Sequence, residues 1–542
     1  MLGRPSKKRK SEKSKRKREI KKMKLVFLHS SDTHGYLLPT DYQNDGEYNA
    51  PFGLSRVASA IKAEKAKWGA EHVVVTDAGD CLQGSPLAAY AHGSGDLKNL
   101  DRFTAAYNAV GYDVRCLGNH DFNFGQSYMT NYVDNNQAPF VNCNILDAET
   151  HMPALGREYV ILERSGVKIG VIGITTQYIP HWEAADRIKG LEFKSAFEQV
   201  NKLAKKLKPQ VDVLAVLYHG GFESDIEDGH ATEPHNGENE GYRILTEIPE
   251  VDVMLTGHQH RRLNVVKDGK PCVQPGYRGE AIAEVVLDLD KTEDGYKVKS
   301  AESTLIDTKD YDSDPELAQI VQPLDRATQK WLDQPIVHLD EPAPIEDANK
   351  GRIEGAPFIN LLQQMQLYFT GADLSATAVM NDVAKGFGKT VTMRDILLNY
   401  PYANQLVKVR LTGKELRHIV EHTATFLRKD EDGSIHFIDR YLKPKPELYH
   451  FDVFYPLEYE ADLSKPAGHR LTKLKLHGKD IQDDQVYHLA VNNYRANGGG
   501  FYPEYSLDKI EMSLDKDYVQ MFREYLTEAD VHVDTKKYYR FY

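Results

Sequence analysis

Cysteine is scarce in this chain, and a long apolar run is missing. Only four cysteines occur (Cys81, Cys116, Cys143 and Cys272), and no two are spaced as CxxC. That pattern argues against a thiolate metal knuckle or a disulfide framework, and buried free thiols are expected. No run approaches the ~20 apolar residues that a membrane-crossing helix needs. Internal repeats are absent, and the start of the chain has no apolar h-region of the secretory type. A hydrophobic share of 41% and an aromatic share of 10% fit a soluble globular protein. At 542 residues the chain exceeds one ordinary core, so two or more domains are expected. Any metal chemistry must use imidazole, carboxylate and amide ligands, which favours Mn, Zn, Fe or Mg.

Charge is unevenly spread. Residues 1–22 hold 12 Lys/Arg against two Glu, and the remainder holds 56 basic and 78 acidic residues, a net −22 against −12 for the whole chain. Dense like charge repels itself, so a disordered tail over 1–22 is expected, open to contact with nucleic acid or acidic lipid. Met23-Lys24-Leu25-Val26 opens the first strand-like run, which points to Met23 as a natural start and to a tail without function. Without a secretory leader, a cytoplasmic location is expected.

From residue 24 to about 300, strand-like and helix-like segments alternate. Apolar residues at Leu54, Val57, Ala58 and Ile61 have helical spacing, and further helices are expected near 100–110 and from Phe197 to Leu207. This order fits sheets flanked by helices. The acidic stretch 304–315 reads as an irregular linker, followed by a connecting helix from Ala318 to Leu332. A second domain from 335 to the end mixes helices (Phe358 to Tyr368, Gly413 to Phe426) with strands (Gln405 to Leu411, Val486 to Asn493), and the charged stretch from Arg428 to Pro446 reads as a loop. The expected domains are thus a basic tail (1–22), a catalytic domain (23–305), a linker with connecting helix (306–334) and a substrate domain (335–542).

Five short segments put metal-binding side chains directly after strand-like runs: Asp32-Thr33-His34, Gly79-Asp80, Gly118-Asn119-His120-Asp121, His219-Gly220-Gly221 and Gly257-His258-Gln259-His260. Strand ends are where α/β sheets gather ligands. Asp32 and His34 can face one ion, and Asp80 can bridge two through its two oxygens. Asn119 offers a neutral carbonyl oxygen, and His219, His258 and His260 offer imidazoles. Two cations ~3.5–4 Å apart would clamp a phosphoryl group and acidify water. His120 is then placed to stabilise the phosphoryl oxygens or protonate a leaving alkoxide, and Asp121 could orient its imidazole. A single D-x-H is weak evidence, whereas five such segments in order are specific. His29, His72, His92 and His151 read as packing or surface residues.

On these motifs residues 24–290 resemble the calcineurin-type metallophosphoesterases, and 24–542 resembles the two-domain 5′-nucleotidase family. The run from Gly118 to Gly125, with Asn492-Asn493-Tyr494-Arg495-Ala496, is more similar to the 2′,3′-cyclic-nucleotide 2′-phosphodiesterase/3′-nucleotidase branch. The resemblance implies an α/β fold: a four-layer α/β/β/α metallophosphoesterase sandwich plus a C-terminal α/β substrate-binding domain. It implies two divalent ions, one held by Asp32, His34, Asp80 and His260, the other by Asp80, Asn119, His219 and His258, with His120 as catalytic histidine. Two departures stand out. Many 5′-nucleotidases carry an Asp three positions after that His, where this chain has Asn123, so either Asp121 orients His120 or the dyad is altered. The Gly-rich, Arg-bearing loop expected after Met380-Asn381 is replaced by Asp382-Val383-Ala384-Lys385-Gly386.

Two aromatic loops match the family's base-binding positions: Tyr400-Pro401-Tyr402-Ala403-Asn404 and Asn497-Gly498-Gly499-Gly500-Phe501-Tyr502. Tyr402 is expected to stack on a base, paired with Tyr502 or, with a one-residue gap, Phe501; Asn381 is a further substrate-binding candidate. The expected activity is two-metal hydrolysis of a small-molecule nucleotide ester (5′, 3′ or 2′,3′-cyclic), with no obligate nucleic acid. The alternatives are a nucleotide-sugar or other phosphomonoester hydrolase on the same scaffold, or a nucleic-acid-binding protein acting through the basic tail.

Overall fold

The computed structural model of the protein describes residues 23–542 apart from Asp45, Pro234, Ala403, Pro444, Lys445 and Phe501, so the basic tail 1–22 and Phe501 lie outside the described residues. Among the described residues, no helix is long and apolar enough to cross a membrane. The apolar runs ahead of the ligand segments are strands buried on both faces, as strands covered on both sides are. They form two sheets. The first runs in the order Tyr296–Asp307, Ala281–Lys291, Met23–Ser30, Val73–Asp77, Val114–Arg115, its last three strands parallel. The second runs Arg262–Lys267, Lys270–Pro275, Val253–Thr256, Val213–His219, Val167–Thr175, Tyr159–Arg164, with a parallel centre.

Successive strand residues face opposite sides, and that alternation divides the core. Leu25, Phe27, Val74 and Val114 meet Val171, Ala215, Leu217 and Val253 between the sheets. Val26, Leu28, Val73 and Val75 face the other way, packing with Val57 and Ile61 of helix Leu54–Trp68 and Phe103 and Tyr107 of helix Leu97–Val110. Ile172, Ile174, Leu214 and Val216 pack with Val200 and Leu203 of helix Ala196–Leu207. The result is a four-layer α/β/β/α sandwich in which parallel strands deliver their carboxyl ends, and so the ligand segments, to one edge.

The connecting helix spans Pro315–Leu332, with Asp314 accepting the Leu317 N–H as its cap. The second domain has a five-stranded sheet ordered Val453–Tyr455, Leu374–Thr377, Val486–Asn492, Gln405–Thr412, Ile510–Asp517, with helices Pro357–Thr370, Gly413–Ala424 and Tyr518–Glu528. Arg394 ties the units together: its guanidinium donates to Tyr42 O at 2.6 Å and Gln329 Oε1 at 2.9 Å and pairs with Asp333.

Two expectations are corrected. The stretch 304–315 is not an irregular linker throughout: Tyr296–Asp307 is one strand, paired with Ala281–Lys291 in unbroken register from Asp288↔Ser300 to Ala281↔Asp307, so ladder hydrogen bonds hold its acidic end. Within 428–446, Leu427–Lys429 and Ile435–Phe437 form a short hairpin. All four cysteines are buried and free.

Candidate active site

The ligand segments meet through their own backbones. Ala78 N donates to Ser30 O, Asp32 N to Gly79 O and His34 N to Asp80 O, all at 2.8–3.0 Å, which interlocks the first two loops. Glycine permits the approach. A Cβ on Gly118 would lie 2.2 Å from Asp80 Oδ1 and 2.6 Å from His219 Cε1, and one on Gly257 2.1 Å from Ser31 Oγ. Asp32, His34, Asp80, His258 and His260 all have φ between 49° and 72°. Non-glycine residues seldom adopt that left-handed conformation, and where they do, the surroundings hold the strain in place.

The seven ligand candidates converge, turning carboxylate oxygens, an amide oxygen and imidazole nitrogens toward one another. Asp80 gives Oδ1 to the His120 N–H at 2.7 Å; its buried Oδ2 accepts no hydrogen bond, with His219 Nε2 3.2 Å and His34 Nε2 3.9 Å away. His34 Nδ1 lies 2.9 Å from Gln83 O, and His219 Nδ1 2.6 Å from Ala78 O. A carbonyl can only accept, so each ring donates from Nδ1 and turns Nε2 inward. His34 Nε2 faces His260 Nε2 at 2.9 Å, and Asp32 Oδ1 lies 3.5 Å from that same nitrogen. His219 Nε2 and His258 Nδ1 both face Asn119 Oδ1, at 3.0 and 2.9 Å. Glu238 holds His258 from behind through Nε2 at 3.1 Å. Asp32, His34 and His260 form one cluster able to hold a cation, and Asp32, Asp80 and His219 an adjoining one. These donor atoms fit divalent cations, and Asp32 is common to the two clusters.

The titration pattern expresses the same demand for positive charge. Burial opposes charging His219, but the Asp80 and Asp32 carboxylates outweigh it and lift the imidazole to about 9. Burial and then His260 push His34 down to about 3. Burial opposes ionisation of Asp80, yet His219 and His120 hold it well below the usual carboxylate range.

His120 sits among these groups with its ring 5.3 Å from that of His34. Asp121 does not touch that ring, which corrects its expected orienting role. Its carboxylate accepts the N–H groups of Asp80, Cys81, Leu82 and Gly118 at 2.8–3.1 Å, so it stitches two ligand loops together. The partner of the His120 ring is Asn123, whose Oδ1 lies 2.8 Å from Nδ1 and whose Nδ2 donates to Glu183. Because the Glu183 carboxylate accepts, the amide NH₂ must face it and the amide oxygen must face His120. The imidazole is therefore protonated at Nδ1, leaving Nε2 as the atom that can take or give a proton. Glu183 is a residue that reading the sequence did not find; its side chain is 5% exposed and also pairs with Arg187 at 3.4 Å. It lies far along the chain from Asn123, in a loop with no periodicity to mark it.

The substrate-domain candidates divide. Tyr402 and Asn381 line a cavity of about 530 Å³ between the domains, together with Tyr36, Gln83, Trp331 and Arg278. Asn381 spends its amide locally, donating to Leu398 O and accepting from Val383 N. Tyr502 is corrected: it is 0% exposed, donates to His450 O at 2.9 Å and packs its ring 4.7 Å from the Arg495 guanidinium, so it is core and has no face for a base. A larger hollow of about 1010 Å³ under Tyr538 to Phe541 includes none of the ligand residues.

Comparison with known proteins agrees with this geometry. Residues 25–262 match the model of the calcineurin-like phosphoesterases, and residues 335–506 that of the 5′-nucleotidase C-terminal domain. A 2′,3′-cyclic-nucleotide 2′-phosphodiesterase/3′-nucleotidase of Haemophilus influenzae is 28% identical, covering 88% of this chain and 80% of the relative. A 5′-nucleotidase of Vibrio vulnificus is 24% identical, covering 89% and 86%. A Staphylococcus aureus protein, provisionally described as a 5′-nucleotidase, has a solved structure that superposes with a TM-score of 0.86 at 31% identity, covering 96% of this chain and 99% of that one. The chain belongs to the two-domain 5′-nucleotidase family of calcineurin-like phosphoesterases, metal-dependent enzymes that hydrolyse phosphoric esters with two divalent ions.

Proposed function

We propose that this enzyme removes phosphate from nucleotides, opening or cleaving 2′,3′-cyclic, 3′ or 5′ esters to release nucleoside and phosphate. The observation that carries the reading is the convergence of the oxygen and imidazole groups of Asp32, His34, Asp80, Asn119, His219, His258 and His260 on one edge of the sandwich. When bound there, two divalent ions polarise a phosphoryl group and acidify water. The protein's own groups do the rest. Asp80 holds the two clusters in register, and Asp121 fixes the loops that carry Asp80 and Asn119. His120, its Nδ1–H held by Asn123, can as the imidazolium give its Nε2 proton to a leaving alkoxide or steady the phosphoryl oxygens. Tyr402 reaches toward the cleft from the other domain and offers a flat face to a base, worth ~1–3 kcal/mol by stacking. The relatives named as a 2′,3′-cyclic-nucleotide phosphodiesterase/3′-nucleotidase and a 5′-nucleotidase support nucleotides as the substrate class.

The test is a metal-reconstituted assay of the full chain against 5′-, 3′- and 2′,3′-cyclic nucleotides beside p-nitrophenyl phosphate. Nucleotides are expected to be preferred, and Tyr402→Ala to raise KM for them more than for p-nitrophenyl phosphate. Equal losses on both substrates would remove base recognition from the reading.

A further inference from the structure

The cavity between the domains carries a cation that the reaction does not use. Arg278 follows Tyr277, whose ring stacks on His260 at 5.1 Å, and its own N–H donates to Asp32 O at 2.7 Å. Its half-buried guanidinium lies 4.6 Å from the Tyr36 ring, 5.0 Å from Tyr277 and 5.6 Å from Phe52. Among the described residues it forms no ion pair and no side-chain hydrogen bond. The other sequestered arginines differ: Arg115 pairs with Asp77, Arg352 with Asp382, Arg394 with Asp333 and Arg495 with Asp452, all at 2.6–3.1 Å. Arg56 and Arg470, half-buried without a carboxylate, instead donate to backbone carbonyls, and Arg278 has neither kind of partner among the described residues. Arg523, from helix Tyr518–Glu528, lines the same cavity and also has no ion pair among the described residues. The acidic side chain on the wall, Asp41, is not within salt-bridge distance of either and accepts the Gln43 N–H. The loop following Asn381 carries no arginine, and its Asp382 is taken by Arg352.

We propose that Arg278, together with Arg523, forms an anion subsite that holds a second phosphate of the substrate while the scissile phosphoryl group faces Asp32 and Asp80. A guanidinium fork matches phosphate oxygens in pairs, and aromatic walls hold it pre-formed. Arg278 is outside ion-pair distance of the Asp32 and Asp80 carboxylates and lines the cavity with Trp331 and Tyr90. The subsite therefore lies beside the reacting centre. A cavity of about 530 Å³ admits a nucleotide-sized ligand. The substrate class is a nucleotide that bears a phosphate besides the one removed, such as a nucleoside 3′,5′-bisphosphate. This inference rests on the phosphoesterase reading above.

The experiment measures kcat/KM of the metal-loaded full chain for adenosine 3′,5′-bisphosphate and adenosine 3′-monophosphate. Wild-type protein is expected to prefer the bisphosphate. In Arg278→Gln the ratio of the two values should fall by about tenfold or more, the scale of a lost charge-assisted hydrogen bond. Arg278→Lys and Arg523→Gln should give smaller falls in the same direction, and they carry the comparison if Arg278→Gln does not melt like the wild type. Equal fold-losses on both substrates, or an unaltered ratio, would overturn the subsite. Wild-type protein that hydrolyses neither ester would overturn the phosphoesterase reading itself, and the subsite with it.

Discussion

At the scale of single residues, the site is a concentration of negative charge and lone pairs that waits for cations. Asp80→Asn keeps the shape but removes the negative charge of the carboxylate, and we expect hydrolysis to fall about 10³-fold or more, as loss of an electrostatic catalytic group does, while the metal-free protein still folds but melts lower because His219 loses its partner. Metal-free protein should also reveal the His219–Asp80 pair. The His219 imidazole rises from 6.5 to about 9 in the folded state, so its stabilisation is complete below pH 6.5 and is lost as pH rises through 9. That is up to about 3 kcal/mol at 1.36 kcal/mol per unit, measurable by denaturant unfolding in chelator, and metal loading should flatten the slope. Glu183 acts through Asn123 on the His120 proton. Glu183→Gln should lower kcat about tenfold or more for nucleoside esters, whose alkoxide needs a proton, and less for p-nitrophenyl phosphate, whose leaving group does not. The same loss on both substrates would reduce Glu183 to a packing residue.

At the scale of elements, what matters is that strands stop where ligands begin. Val213–His219 and Val253–Thr256 run parallel in one sheet, and Met23–Ser30 and Val73–Asp77 run parallel in the other, so four ligand loops leave the same edge. The glycines beside those loops keep the spacing. Gly118→Ala would put a methyl group 2.2 Å from Asp80 Oδ1, and one of the two must move. Metal affinity, read by calorimetry, should drop at least about tenfold, as losses in supporting contacts at metal sites do; unchanged affinity would show that the loops yield freely. The strand runs and several helix spans were legible in the sequence because periodicity and burial agree there: Leu54, Val57, Ala58 and Ile61 mark a helix that spans Leu54–Trp68. The acidic end of the Tyr296–Asp307 strand was not, because its polarity imitates a linker and only pairing with Ala281–Lys291 holds it.

At the scale of the whole molecule, the second domain meets the first at Arg394 and Tyr42 near the connecting helix, and by polar contacts beside the catalytic site. Gln83 Nε2 donates to Pro401 O at 3.2 Å, Asn493 Nδ2 to Trp182 O at 3.1 Å, and Asn497 Nδ2 to His181 O. The contacts beside the catalytic site are single hydrogen bonds, which suits a cleft that opens there for substrate and product. Cysteines introduced as His181→Cys and Asn497→Cys and joined by a short thiol linker should lower kcat, with recovery on reductive release; unaltered turnover would exclude opening as part of the cycle. The four native cysteines are buried, so the label should find only the introduced pair.

The sequence by itself carried the strand-like runs and the donor segments that follow them, because each is a local fact, an apolar run and then donor side chains; the resemblance those segments bear implied the sandwich and the reaction class. It also placed His120 beside them. Tertiary structure alone decided which group serves which. Asp121, adjacent in the chain, turned out to bind four backbone N–H groups, while Asn123 and the distant Glu183 took the imidazole. Tyr502 and Tyr402 look alike as letters, yet one is sealed beside Arg495 and the other lines the cleft. Arg278 gave no sequence signal, since an arginine is defined by what it lacks only once its neighbours are known. Ligand type is written in side chains, whereas partnership depends on distance across strands and domains that no short motif records.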